Sequence, residues 1–177
     1  ADSGVSLPAM ARRLATAGLG GLEWGTGIPG TVGGATVNNA GAHGSCVADS
    51  LISTLTIDAT GSLRERAASD LAYAYRRSAL KATKVNAYGP RDVVVASTFR
   101  IEQRDRTRML RQIREWANER LQRQPLKSDS AGSYFQNPAG DSAGRLIEAA
   151  GLKGTRVGGA QVSPMHANFI VNAGGAT

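Results

Sequence analysis

The feature that most constrains this chain is a run of glycines between Gly25 and Gly44, seven in twenty positions. It reads Gly25-Thr26-Gly27-Ile28-Pro29-Gly30-Thr31-Val32-Gly33-Gly34-Ala35, then Asn38-Asn39-Ala40-Gly41-Ala42-His43-Gly44. Glycine has no Cβ, so backbone can approach another chain segment or a ligand closely and take up positive φ. Successive amide N–H groups in such turns also make concavities that suit anions. The tract either cradles a phosphate or lines a flavin, or it is a compact, turn-rich connector, and composition alone favours neither. It is not a Walker loop, because no Gly-Lys-Ser/Thr follows, and it does not stand as a dinucleotide fingerprint at a strand-to-helix turn.

Charge narrows the partner. The 177 residues carry a formal charge of +7, and 17 of the 21 basic residues are arginine. The planar guanidinium fork matches phosphate and carboxylate, so an acidic or phosphorylated partner is expected. Hydrophobic residues at 41% and charged residues at 20% describe a globular chain, not a disordered one. No run of 18 apolar residues is present, which argues against a membrane-spanning helix. Cys46 is the single cysteine and has no partner for an internal disulfide. With His43 and His166 in unrelated contexts, no metal-ligand spacing is present.

Ser6-Leu7-Pro8 opens a helix signal that Gly18 ends. Leu51–Asp58 reads as a strand, with Leu51, Leu55 and Ile57 on one face and Thr54 and Thr56 on the other, leading through Ala59–Ser62 into a hairpin with Leu63–Arg66. Asp92–Ile101 is a second, β-branched strand. Arg104–Arg123 carries Met109, Leu110, Ile113, Trp116, Ala117 and Leu121 at helical steps and stops near Pro125. A shorter helix over Asp141–Ala150, with Leu146 and Ile147 inward, and a strand at Ala167–Asn172 complete the pattern. Strands and helices mix without regular alternation, so the class is α+β, with a boundary near 102.

Three further segments are candidates for chemistry. Tyr73-Ala74-Tyr75-Arg76-Arg77 either presents a cation beside a ring to an anionic ligand or is a strand end with solvated arginines. Ser133, after a small-residue turn, is a nucleophile, a proton donor or a cap, and no Gly-x-Ser-x-Gly elbow surrounds it. The arginines of 104–123 suggest a nucleic-acid surface, but Asp105, Glu115 and Glu119 interrupt them, so a solvated face is favoured and no nucleic-acid partner is expected.

Taken together, six segments occur in the order of one family: residues 21–35, 39–44 (Asn-Ala-Gly-Ala-His-Gly), 75–78 (Tyr-Arg-Arg-Ser), 132–138 (Gly-Ser-Tyr-Phe-Gln-Asn-Pro), 146–154 (Leu-Ile-Glu-Ala-Ala-Gly-Leu-Lys-Gly) and 166–172 (His-Ala-Asn-Phe-Ile-Val-Asn). The chain resembles the UDP-N-acetylenolpyruvoylglucosamine reductase family (UDP-N-acetylmuramate dehydrogenase, MurB) of bacterial peptidoglycan synthesis. The resemblance implies the second lobe of a PCMH-type FAD-binding domain over 1–102, followed by a smaller α+β substrate-binding domain over 103–177. It implies FAD as cofactor, NADPH as co-substrate, UDP-N-acetylglucosamine enolpyruvate as substrate, a cytoplasmic location, and neither membrane nor metal. Ser133 matches the family's proton donor, and Arg76 the arginine that binds the developing enediolate. Tyr75 and Asn137 would line the substrate pocket, with Arg120 and Arg123 near the UDP diphosphate. Gly27, Ile28, Pro29, Gly30, Thr31, Gly33, Gly34, Asn39, Gly41 and Gly44 would meet FAD, and Arg76 and Ser133 are expected to converge on one carboxylate. The alternatives are a basic nucleic-acid-binding module using the Arg104–Arg123 helix, a related flavoprotein with another substrate, and a nucleotide-sugar-binding homologue without activity.

The sequence departs from the family in places. His43 stands where many members carry tyrosine, and Gln136 where many carry lysine, which removes a positive charge near the expected nucleotide site. The family's Gly-x-Gly-Ser-Asn loop has no counterpart before Ala1, and its C-terminal glutamate motif has none before Thr177. The chain thus reads as an internal fragment, expected neither to hold FAD tightly nor to turn over alone.

Overall fold

Ser6 precedes helix α1 (Leu7–Thr16), which has proline in its opening turn and buries Leu7, Ala11 and Ala15. Proline is tolerated there because the missing N–H has no intrahelical acceptor. The computed structural model describes residues 1–82 and 92–177. After α1 come β1 (Leu19–Gly20), a 3-10 turn at Glu23–Gly27 and α2 (Val32–Asn38). Helix α2 lies inside the glycine tract, which the sequence pattern does not predict. Two glycines and three β-branched residues in seven positions give it poor intrinsic propensity. It is held instead by burial of Val32, Ala35 and Thr36 and by Thr31, whose side chain accepts the Gly34 N–H.

A hairpin of β2 (Gly41–Ala42) and β3 (Ser45–Cys46) follows. His43 and Gly44 close it at φ 53° and 80°, the left-handed pair that a two-residue hairpin loop favours. Next are α3 (Val47–Ser50), β4 (Leu51–Ile57), β5 (Leu63–Ala67), a 3-10 turn at Ala68–Leu71 and α4 (Ala79–Ala82). Then come β6 (Val93–Phe99), β7 (Glu102–Gln103) and the long α5 (Arg106–Arg123). The chain finishes with β8 (Ser130–Ser133), α6 (Ala143–Ala149), β9 (Arg156–Val157), β10 (Ala160–Val162) and β11 (Phe169–Asn172). It divides into two compact units, Ala1–Arg114 and Glu115–Thr177, and the division falls within α5, whereas the sequence pattern marks a boundary near 102.

In the first unit an antiparallel sheet runs β5-β4-β6. The β4–β5 turn is drawn together by Asp58, which accepts from Thr60, Ser62 and Arg64. The Thr60 hydroxyl first, and the Arg64 guanidinium next, hold its carboxyl well below the usual carboxylate range. Beside β6, Asp2 bridges Ala96, and the Ser3 N–H donates to the Val95 carbonyl.

From Thr54 onward the alternation of β4 holds with the threonine face buried, whereas Leu51 is buried and Ile52 exposed at a register irregularity between Leu51 and Ser53. Thr54, Thr56 and Ser97 are almost fully enclosed, whereas Ile57, Leu63 and Val93 are exposed. The hydroxyls can be buried because each has a partner: Thr54 donates to the Ala96 carbonyl, Thr56 to the Arg64 carbonyl, and Ser97 Oγ lies 2.9 Å from Thr36 Oγ1 of α2. Burial without such partners would cost about 1–3 kcal/mol for each group.

The seam of α5 is buried at Met109 and Ile113, which pack on Ala15 of α1, while Ala117 and Leu121 are exposed. The second unit holds the antiparallel sheet β8-β11-β10-β9. Its buried apolar residues are Ala143, Ala167, Phe169 and Val171. Ser142 caps α6 by accepting the Arg145 N–H, and only Ala143 of α6 is buried. Leu146, expected inward, is 44% exposed. Among the described residues no helix is long and apolar enough to cross a membrane.

Two adjacent glycines of α2 make opposite demands. A Cβ on Gly33 would stand 2.7 Å from Ser3 Cβ and 3.3 Å from the Ser3 carbonyl oxygen. Ser3 cannot retreat freely, because its N–H donates to Val95 and its carbonyl accepts from Gly33. A Cβ on Gly34 would meet only Thr31 Oγ1, at 3.6 Å. Gly33→Ala is therefore expected to destabilise by about 1–3 kcal/mol through overpacking, and Gly34→Ala to be neutral or stabilising by up to about 1 kcal/mol. Urea denaturation of both variants checks this, and equal losses would contradict it.

Candidate active site

The glycine tract splits into positions the fold consumes and positions it leaves open. A Cβ on Gly41 would stand 2.5 Å from the Ser45 carbonyl and 2.6 Å from Cys46 Cβ, so Gly41, like Gly33, allows chain to lie against chain. The first amides of α2 are also committed: Val32 N–H donates to Val5, Gly33 to Ser3, and Gly34 to Thr31 Oγ1. Pro29, Gly30, Thr31, Gly34 and Gly44 are exposed, while Gly27 and Ile28 are partly so. Around Gly30 (φ 123°) and Gly44 (φ 80°) the place of a Cβ is empty out to 4 Å. An exposed strip of small residues with that much clearance fits the approach of a flat ring or a diphosphate. Residues 25–30 do spell Gly-x-Gly-x-x-Gly, but they begin within a 3-10 turn, and Gly25 packs on Leu7, so this is no dinucleotide turn.

The segment from Tyr73 to Ser78 is a tight loop, bridged Ala74 to Arg77, and not the end of a strand. Ala72 and Arg76 take φ 43° and 54°, a conformation that costs a non-glycine residue about 1–2 kcal/mol and persists where surrounding contacts impose it. Those contacts are plain here. Tyr73 Oη donates to the Thr36 carbonyl at 2.9 Å, and Ser78 Oγ to the Val37 carbonyl at 2.6 Å. Burial pushes the Tyr73 phenol up, with the neighbouring Cys46 adding to the shift. Arg76 donates from Nη1 to the Asn39 carbonyl at 3.1 Å and from Nη2 to the Gly41 carbonyl at 2.5 Å. Its guanidinium lies 5.2 Å from the centroid of the Tyr75 ring. A guanidinium has five N–H donors, and two carbonyls leave three for a ligand.

In the second unit, Ser133 and Asn137 share a cleft of about 480 Å³ with Arg123, Arg145, Glu148, Lys153, His166 and Asn168. Ser133 ends β8 opposite Phe169 of β11, after Gly132 at φ 81°. The bend beyond it is fixed by Asn168, whose side-chain amide accepts from the Phe135 N–H and donates to the Phe135 carbonyl, both at 2.8 Å. Asn137 Oδ1 accepts the Ala143 N–H at 3.0 Å. Lys153 pairs with Glu148 at 2.6 Å, and Arg145 with Asp141; the Arg145 contacts hold the Asp141 carboxyl down to about 2. Burial, opposed by a backbone hydrogen bond and supplemented by Lys153, lowers the pKa of His166. Arg123 lines the cleft, whereas Arg120 does not; Arg120 donates to Gln124 Oε1, and burial lowers its pKa.

Sequence reasoning passed over Arg145, Glu148, Lys153, His166 and Asn168 as site residues. Their signal was available for Glu148 and Lys153 as membership in the segment at 146–154, and for His166 and Asn168 in that at 166–172; Arg145 lies just before the first of these.

Residues 1–66 match the family model described as FAD binding domain, and residues 124–177 match UDP-N-acetylenolpyruvoylglucosamine reductase, C-terminal domain. A UDP-N-acetylenolpyruvoylglucosamine reductase of Synechococcus sp. (strain WH7803) is 50% identical over 181 residues, covering 100% of this chain and 56% of that protein. That of Chloroflexus aurantiacus is 46% identical, covering 98% of this chain and 57% of that protein. The crystal structure of the Thermus caldophilus reductase (MurB) superposes with a TM-score of 0.86 at 39% identity, over 98% of this chain and 61% of that one. The chain thus spans a little over half the length of the curated relatives it matches. With both family domains in order and about half its residues shared with a named relative, the chain belongs to the UDP-N-acetylenolpyruvoylglucosamine reductase family.

Proposed function

We propose that this chain serves an FAD-dependent reductase of the bacterial cytoplasm that converts UDP-N-acetylglucosamine enolpyruvate to UDP-N-acetylmuramate with NADPH as reductant. Residues 1–102 act as the second lobe of the FAD-binding domain and 103–177 as the substrate-binding portion. The observation that carries this reading is the Arg76 guanidinium, held by two backbone carbonyls with three donors to spare, in a chain whose family partners bear the reductase name.

FAD, when bound, would supply hydride chemistry, drawn from NADPH, at the vinyl CH2 of the enolpyruvyl ether. The strip of Pro29, Gly30, Thr31 and Gly34, with Ile28 and Gly44, would hold that cofactor. Gly27, Gly33 and Gly41 shape the strip from behind. Negative charge then grows on the carbon beside the substrate carboxylate and spreads into it. Arg76 meets that carboxylate with its free N–H groups, and its delocalised charge favours the more anionic transition state over the ground state. Ser133 delivers its hydroxyl proton to the carbon. A serine hydroxyl is a weak acid, so the cationic groups Arg123, Arg145 and Lys153 around its cleft stabilise the alkoxide left behind. Asn137 and Arg123 hold the nucleotide portion, Tyr75 packs beside Arg76, and Arg120 supports the helix that carries Arg123.

The test is anaerobic stopped-flow on a flavin-loaded hybrid in which the Synechococcus relative supplies the lengths flanking the match. NADPH should bleach the flavin, and adding the enolpyruvyl substrate should restore its absorbance. Bleaching without restoration overturns the reading. In the same hybrid, Ser133→Ala should leave bleaching within about twofold and slow restoration by about 10²–10⁴-fold, the range for a lost proton donor. Arg76→Lys should slow restoration by on the order of 10²-fold, because lysine has neither the fork nor the two-carbonyl anchorage; near-normal turnover would remove Arg76 from the role.

A further inference from the structure

Asn39 was expected to touch the cofactor, but it is 4% exposed, and both polar groups of its side chain are engaged within the protein. Nδ2 donates to the Ala74 carbonyl at 2.9 Å, and Oδ1 accepts the Ala48 N–H at 3.0 Å. Its backbone is left-handed, at φ 45° and ψ 56°, at the C-terminus of α2. Asparagine tolerates that conformation better than other side-chain-bearing residues. The turn directs the Asn39 carbonyl to Arg76 Nη1, while two residues later the Gly41 carbonyl takes Nη2. One residue thus holds the Tyr73–Ser78 loop by its side chain and the guanidinium by its main chain.

We infer that Asn39 is a positioning residue for Arg76: by gripping Ala74 and presenting its own carbonyl, it fixes the plane and outward edge of the guanidinium. The inference rests on the reductase reading only for its catalytic consequence; the anchorage itself stands on the contacts. Tyr73 and Ser78 tie the loop to Thr36 and Val37, so they share the work of holding the loop close. Their bonds go to carbonyls of α2, whereas the Ala74 carbonyl is taken by Asn39 Nδ2 and the Arg77 N–H. Without the Asn39 side chain the loop keeps these ties, the Ala74–Arg77 bridge and the guanidinium's own bonds, but loses the bond that joins the Ala74 carbonyl to the end of α2. A pre-set guanidinium spends no binding energy on being oriented, which is why misplacement of about 1 Å in such groups can cost 10²-fold in rate.

Two substitutions separate positioning from mere support of the fold. Asn39→Gly keeps the left-handed backbone and removes both side-chain bonds. Asn39→Asp keeps an acceptor for the Ala48 N–H and removes the donor to Ala74. The readout is nitrogen-15 NMR of the arginine side chains in the 177-residue chain, with the Arg76 signals assigned by their loss in Arg76→Lys. In the unsubstituted chain the two Nη groups, each on a carbonyl, should give separate, slowly exchanging signals; averaged signals there would overturn the inference outright. In Asn39→Asp, folded by circular dichroism, they should merge into the averaged arginine pool even though the Ala48 contact survives, and Asn39→Gly should do the same if it folds. Separate signals retained in Asn39→Asp would mean that Asn39 acts only through Ala48, and the positioning role fails.

A second arm uses the flavin-loaded hybrid. Asn39→Asp should slow flavin restoration by substrate about 10–10²-fold and leave bleaching by NADPH within about twofold. Equal slowing of both steps would mark a cofactor or folding defect and overturn the inference. If the NMR result holds but the unsubstituted hybrid never restores its flavin, the reductase reading fails and the anchorage of Arg76 stands.

Discussion

Backbone running against backbone at two absent side chains is the condition on which the rest of the first unit depends. Gly33 lets α2 settle on Ser3, beside the strand that ends at Phe99, and Gly41 lets its hairpin partner close to within a van der Waals contact. Only with α2 seated so deeply do the carbonyls at its C-terminal end, from Thr36 to Gly41, come within reach of Tyr73, Ser78 and Arg76. The glycines thus act on the candidate site at one remove. They bring a set of carbonyl acceptors to a loop that needs donors answered, and the left-handed Arg76 is the consequence.

Polar groups do the joining where apolar groups would ordinarily serve. Thr36, Thr54 and Ser97 form a buried cluster of hydroxyls between α2 and the sheet. Such a contact adds little net stability over an apolar one, since each hydrogen bond mainly offsets desolvation. Its value is directional. A hydroxyl pair at 2.9 Å admits one register of helix against strand, whereas methyl groups would tolerate sliding. Among the described residues every buried side-chain nitrogen and oxygen has a partner, which is the state in which a polar interface specifies a single arrangement.

The helices with a clear apolar stripe and the β-branched strands were legible in the sequence to within a residue or two: α1, β4, β6, α5 and β11 all form where periodicity puts them. Helix α2 was not, because its residues favour turns and strands and only tertiary burial makes it helical. The inward face of β4 was not either. Hydropathy ranks leucine and isoleucine above threonine, and the ranking reverses when every threonine hydroxyl finds an acceptor. Ser133 and Asn137, named from one motif, and Arg123, named from its place before Gln124-Pro125, line one cleft. Asn39 was named as a cofactor contact from its motif, and its enclosure and its bonds to Ala74 and Ala48 are what the sequence does not display. Asn168 was missed for the same reason: its bond pair to Phe135 joins residues 33 apart.

The proposed proton donor and the proposed carboxylate-binding arginine are held by different physical means, and the difference suits their tasks. Arg76 must present fixed charge in a fixed plane, and carbonyl acceptors behind it supply that without competing for charge, since they carry none. A carboxylate partner in the same place would orient it equally well but would neutralise the field that the substrate is meant to feel. Ser133 has the opposite need, because a hydroxyl must be able to shed a proton and so must stand where an oxyanion is tolerated. Its cleft wall carries Arg123, Arg145 and Lys153 against the one carboxylate Glu148, while Glu119 and Asp141, the partners of the two arginines, are not part of that lining. Each cation is partly offset by its carboxylate partner, and the wall that Ser133 shares holds three cations to one carboxylate. An environment of that sign lowers the free energy of an alkoxide relative to the neutral hydroxyl, and this is the direction in which a weak acid must be pushed to protonate carbon.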